Sequence, residues 1–101
     1  MFLKKDFGKY NPETTEIDLV RSLIVYMAQC LVDRPGAVAL DAIEQDGGVL
    51  YRLIVAPDDI GKVIGKQGRT ARSIRTILTA AGNKLKQKFS LDIVERENRR
   101  G

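Results

Sequence analysis

The residues best placed to do chemistry lie in Ile60 to Thr70, IGKVIGKQGRT, where three glycines, two lysines and an arginine stand among apolar side chains. A glycine in a helix interior costs roughly 1 kcal/mol relative to alanine, and a simple turn has no use for the apolar neighbours. The mixture fits a place where bare backbone lets an anion approach and cations stand beside it. Spacing excludes two phosphate-binding patterns. A P-loop needs glycines five positions apart followed by Lys and Ser or Thr, and five positions after Gly61 stand Lys66 and then Gln67. A dinucleotide fingerprint needs G-x-G-x-x-G, and the gap from Gly61 to Gly65 is too long for it. What remains is Gly65-Lys66-Gln67-Gly68, a G-x-x-G turn with an apolar helical segment on each side. Such a turn lets a sugar-phosphate backbone lie against the chain, with the amides that open the next helix facing it and Lys66 and Arg69 adding positive charge.

Other chemistry has little to work with. The chain has no histidine and one cysteine, Cys30, so it can form neither an intramolecular disulfide nor an ordinary zinc site, and a thiol nucleophile would lack an imidazole base. Cys30 reads as a small apolar helix residue, buried and inert. Asp58 and Asp59 are sequence neighbours that point in different directions on a helix, so they read as helix-start residues rather than as an acid and base pair. The expectation is a protein without enzymatic activity, cofactor, metal or small-molecule substrate.

Charge points the same way. Met1 to Ile60 carries 6 Lys or Arg against 10 Asp or Glu, whereas Gly61 to Gly101 carries 11 against 3, so balances of −4 and +8 make up the net +4. That asymmetry predicts an anionic partner for the second half, nucleic acid being the commonest. The 101 residues, 44% of them hydrophobic, fit one domain with a single core. No apolar run approaches the roughly 20 residues of a membrane span, and MFLKKDFGKY lacks the apolar stretch of a secretory signal. No membrane association and a cytoplasmic location are expected.

The elements that must position the glycine turn can be read in order. Residues 1–14 form a polar tail of mixed charge. A helix starts near Thr15, with TEID as a weak capping box, and carries Ile17, Val20, Ile24, Met27 and Leu31 at helical spacing until DRPG stops it. AVALDAIE and VLYRLIV, joined through Asp46-Gly47, predict an antiparallel hairpin with Val49, Tyr51, Leu53 and Val55 on one face. Tyr51 therefore reads as core rather than as a base-stacking residue. Pro57 ends the strand, and Asp58 is expected to cap a short helix running to Ile64. Ala71, Ile74, Leu78, Ala81 and Leu85 mark another helix, which Gly82-Asn83 could end a turn early. Phe89, Leu91 and Ile93 alternate as a last strand before a charged tail, 96–101. A long helical connection suits a parallel, right-handed crossover. The predicted class is α+β, a two-layer sandwich with a three-stranded mixed sheet and three helices on one face, in the order α-β-β-α-α-β.

IGKVIGKQGRTARSI resembles the signature of the KH domain, whose GXXG loop clamps about four nucleotides of a single strand. The element order is similar to the type II, prokaryotic arrangement, and VAPDDIGKVIGKQGRTARSIRTIL resembles the small bacterial KhpA-like RNA-binding proteins. The resemblance spans roughly Ile17 to Glu95, within a domain expected at 15–95. It implies a binder of single-stranded RNA, an RNA chaperone or post-transcriptional regulator, with Gly65, Lys66, Gln67 and Gly68 as the backbone clamp. Arg69 and Arg72 would touch phosphates. Ile60 and Ile64, with Val63 and Ile74, would line or support an aliphatic groove, Val63 and Ile74 reading equally well as core. Lys62 and Arg75 read as solvent-facing charges, and Lys84, Lys86 and Lys88 as a loop bordering the groove. The resemblance also implies pairing, as a homodimer or as a heterodimer with a larger KH-containing protein. An alternative function is a protein-protein adaptor that uses this fold for dimerisation, with incidental RNA affinity.

Overall fold

The computed structural model of the chain describes residues 16–97; the expected N-terminal tail, the Thr15 cap and the end of the C-terminal tail lie outside them. The order within is α1 (Glu16–Leu31), β1 (Ala39–Gln45), β2 (Gly48–Val55), α2 (Ile60–Ile64), α3 (Arg69–Leu85) and β3 (Lys88–Glu95). The sheet order is β1-β2-β3, with β1 antiparallel to β2 and β2 parallel to β3. Glycine at two positions makes the hairpin possible. Gly47 takes the turn's positive φ of 77°, and at Gly48 a Cβ would collide with the Lys88 carbonyl oxygen, so β3 comes this close only to a bare Cα.

β2 is the centre of the molecule. Val49, Tyr51, Leu53 and Val55 are all buried on the helical side, as the period-2 pattern predicts, each side chain contributing about 1.5–3 kcal/mol by leaving water. Tyr51 is fully buried and meets the Phe89 ring edge-on, centroids 5.6 Å apart. Burial pushes its phenol pKa up, a shift that Arg21 opposes and Asp18 assists. Tyr51 is thus core and cannot stack on a base.

The helices sit on this face, with departures from expectation on α1. On α1 the buried row is Val20, Ile24 and Ala28, continued past the helix by Val32, while Met27 is only partly buried and Leu31 is exposed. A row at spacing four follows a single ridge of the helix surface, which leaves Leu19, Leu23, Tyr26 and Cys30 on an exposed flank. Cys30 is therefore not a buried residue. Arginines tie each long helix to an outer strand: Arg21 Nη2 donates to the Leu40 carbonyl of β1 at 2.8 Å, and Arg75 Nη2 to the Leu91 carbonyl of β3 at 3.0 Å. Arg75 is exposed, as expected, and is in addition a structural donor. At the sheet's end the Arg96 N–H donates to the Val55 carbonyl at 2.7 Å, and its Nη2 to Ala37 at 3.1 Å.

Gly82-Asn83 does not stop α3, which runs to Leu85. Gly82 is buried where a Cβ would collide with the Gln87 carbonyl oxygen, so it serves close packing. The helix ends instead with Lys86 in the left-handed region at φ 59° and Gln87 N–H bonded back to the Gly82 carbonyl at 2.9 Å. That geometry normally selects glycine. Lys86→Gly should therefore raise unfolding stability by about 1 kcal/mol, read as a higher urea midpoint with an unchanged slope.

Candidate nucleic-acid interface

The turn from α2 to α3 combines three left-handed residues in four. Gly65 has φ 82°, Gln67 57° and Gly68 72°. The Gly65 N–H closes α2 by donating to the Gly61 carbonyl at 2.8 Å, and the Gly68 N–H donates to the Gly65 carbonyl at 3.0 Å. The two glycines are needed for different reasons. At Gly65 a Cβ would collide with the Thr70 hydroxyl and lie 2.7 Å from Thr70 Cβ, whereas at Gly68 it would meet nothing within 4 Å, so only the backbone angle requires glycine there. Gln67 pays for its left-handed angle with a brace, since Arg69 Nη2 donates to its Oε1 at 2.9 Å.

Around this turn the surface is cationic and open. Lys66, Gln67, Arg69 and Arg72 are exposed, and Gly61, one turn back on α2, also faces open space. Of the predicted apolar residues, Ile64 is 37% exposed and Ile60 half-buried against the core, so these two can offer surface to a ligand. Val63 and Ile74 are buried at 0% and 4% and belong to the core. Lys84, Lys86 and Lys88 lie at the far end of α3, roughly 25 Å from the turn at 1.5 Å per residue. Lys86 and Lys88 border a depression of about 390 Å³ together with Thr79, Asn83 and Phe89.

Asp58 and Asp59 stand at a helix start, as the sequence reading expects, but the side-chain cap expected of Asp58 does not form. Asp58 is exposed, and neither residue makes a side-chain cap to a helix. Asp59 is the one buried charged side chain among the described residues. Its carboxylate accepts the N–H groups of Asp33 at 3.1 Å and Arg34 at 3.0 Å, just beyond the end of α1. Lys62 Nζ lies 3.6 Å from Asp59 and 3.4 Å from Asp33, so it is not a free solvent-facing charge. Burial pulls the Asp59 pKa upward, but the two backbone N–H groups and the Lys62 ammonium outweigh it, and the group sits below its ordinary 3.8. Sequence reasoning missed this contact, whose only local signal is an aspartate pair before a short helix, because the partners lie 25 and 26 residues away.

The order α-β-β-α-α-β, the mixed sheet and the glycine turn between α2 and α3 define a type II KH fold. The sequence model of the family described as KhpA/KhpB, KH domain, matches residues 21–93, and the chain belongs to that family. Among curated relatives, the RNA-binding protein KhpA of Treponema pallidum is 40% identical over 79 residues, covering 78% of this chain and 99% of that protein. The RNA-binding protein KhpA of Halalkalibacterium halodurans is 41% identical over 76 residues, 75% of this chain and all of that protein. The one from Listeria monocytogenes is 42% identical with the same coverage.

Two outcomes follow from the turn and its buried neighbour. Gly65→Ala should destabilise the protein by about 2–4 kcal/mol, combining the left-handed penalty with overpacking, and Gly68→Ala by only about 1–2 kcal/mol, compared by chemical denaturation. Because the folded Asp59 carboxyl has the lower pKa, its contribution is complete above the ordinary carboxylate range and is lost as pH falls through the folded value. Melting temperature should drop as pH is lowered from about 5 to about 3, and Asp59→Asn should melt lower at neutral pH with a flatter acid limb.

Proposed function

We propose that this protein binds single-stranded RNA without catalysing a reaction, through Gly65, Lys66, Gln67 and Gly68 and the surface beside them. The observation that carries the reading is the left-handed turn at the N-terminus of a 17-residue helix, with Gly68 facing open space and cations at its rim. Phosphates rest against the glycines, where the first amides of α3 and its positive dipole end favour negative charge. Lys66, Arg69 and Arg72 supply affinity, and Ile60 and Ile64 offer aliphatic surface to the bases. A strand leaving the turn along α3 passes Arg72 toward Lys86 and Lys88. The names of the relatives support RNA as the ligand. The cellular role we assign is that of an RNA chaperone or post-transcriptional regulator in the cytoplasm; among the described residues no helix is long and apolar enough to cross a membrane.

A second function, assembly with another KH-containing chain, is supported by the exposed flank of α1. Leu19 is 58% and Tyr26 67% exposed, and Ile77 on α3 is 44% exposed. Solvent contact of that kind over neighbouring turns of a helix favours a partner. A second copy, or a larger protein carrying this domain, would cover it and raise avidity for RNA by bringing two turns onto one strand.

Replacement of Lys66 and Gln67 together by aspartate separates the two roles. Both side chains are exposed, so stability should change by less than about 0.5 kcal/mol, while affinity for single-stranded RNA should fall at least tenfold. Unchanged RNA retention in a filter or anisotropy assay would rule out the turn as the binding site and favour the adaptor role. In the wild type, the logarithm of affinity should fall with the logarithm of salt with a slope of about 0.7 per phosphate engaged.

A further inference from the structure

Resting on the RNA-binding reading, we infer that Asp59 is the positioning residue of the glycine turn, fixing its orientation by locking the start of α2 to the end of α1. The reason is mechanical. α2 has only five residues, too few to be stable or directed by its own hydrogen bonds. Its one buried side chain is Val63, with Ile60 partly buried against the core, and these apolar contacts are non-directional. Asp59 adds a directional anchor at the residue preceding Ile60. Its two carboxylate oxygens take one amide each, Oδ1 from Asp33 and Oδ2 from Arg34. This bidentate grip resists rotation as a single bond would not. The turn begins directly where α2 ends, at Gly65, whose N–H is held by the Gly61 carbonyl. An angular error at Asp59 is therefore carried through little more than one helical turn to the phosphate ledge. The buried charge also has a reason to be there, because a neutral amide of the same size has one acceptor oxygen where the carboxylate offers two, one to each N–H.

The same geometry separates Lys62 from the other cations. With Asp33 at 3.4 Å and Asp59 at 3.6 Å, its charge is balanced within the protein, and it is not one of the cations that replace counterions on RNA. Among the described residues Lys66 has no such carboxylate, and the cationic rim of the site is Lys66, Arg69 and Arg72.

The test compares Asp59→Ala, Asp59→Asn, Lys62→Met and Lys66→Met with the wild-type chain. Two properties are measured: amide hydrogen exchange, and anisotropy of a labelled mixed-sequence single-stranded RNA of roughly ten nucleotides, longer than the four a GXXG turn clamps. Asp59→Ala should speed exchange at Gly65 and Gly68 more than tenfold while the β2 amides stay protected, and weaken RNA binding more than tenfold well below the melting temperature. Asp59→Asn, which keeps one acceptor oxygen, should fall between Asp59→Ala and wild type in both, and it carries the test should Asp59→Ala not fold. Lys62→Met should leave the salt slope of binding as in wild type, whereas Lys66→Met should lower it by about 0.7. Wild-type protection at Gly65 and Gly68 in both Asp59 variants, or loss of protection that is equal there and in β2, overturns the inference and leaves the RNA-binding reading intact. A wild-type chain that does not retain the RNA overturns that reading, while the exchange data still decide whether Asp59 orients the turn.

Discussion

The parallel pairing of β2 with β3 is the constraint on which the rest of the molecule depends. Strands that run the same way cannot be joined by a tight turn, so the chain must travel back along the sheet before β3 can begin. Everything between Val55 and Lys88 is that return path. It is covered on one side by the buried residues of β2, and this gives α2 and α3 an apolar surface to lie on. The glycine turn is the corner of the crossover, where a short helix ends and a long one starts in a new direction.

A corner made this way has properties a surface loop lacks. Thr70 packs against Gly65 so closely that no side chain fits there, while Gly68 looks into open space. One side of the turn is thus closed by contact and the other left bare. The left-handed angles at Gly65, Gln67 and Gly68 bring the chain round within four residues, and α3 then starts with its positive dipole end at this turn. Arg69 and Arg72 flank that point because the first turn of α3 places them on its exposed surface, and Lys66 is exposed in the turn itself. The core thereby holds still a piece of backbone whose own preferences would let it move.

Electrostatics divides the charged residues into two sets. Arg21, Arg75 and Arg96 donate to main-chain carbonyls at the outer strands and the sheet's end, and Lys62 balances two carboxylates. These cations hold structure together. Among the described residues the cations at the turn have no carboxylate partner, Arg69 bonding the neutral Gln67 side chain, and so keep their charge available to an anion. A net balance of +8 after Ile60 therefore overstates what a ligand would feel, since part of it is used internally.

The amino-acid sequence by itself determined the class of fold, the six elements in order and the glycine turn, because each rests on a local rule. Period-2 alternation marks Val49 to Val55, Asp46-Gly47 marks the hairpin, helical spacing marks Ala71 to Leu85, and Gly65 and Gly68 are written out directly. What only the tertiary structure decided involves residues far apart in the chain. Helical spacing admits both Met27 and Ala28 on α1, and the sheet beneath selects Ala28. Asp58 and Asp59 are alike to any local rule, yet only the second meets the amides beyond α1, 25 residues back. Lys62 and Arg75 become structural, and Gly82 a point of close packing instead of a stop, for the same reason. Local backbone preference and periodicity act over a few residues, whereas the partner of a polar side chain is set by which distant segment the fold brings beside it.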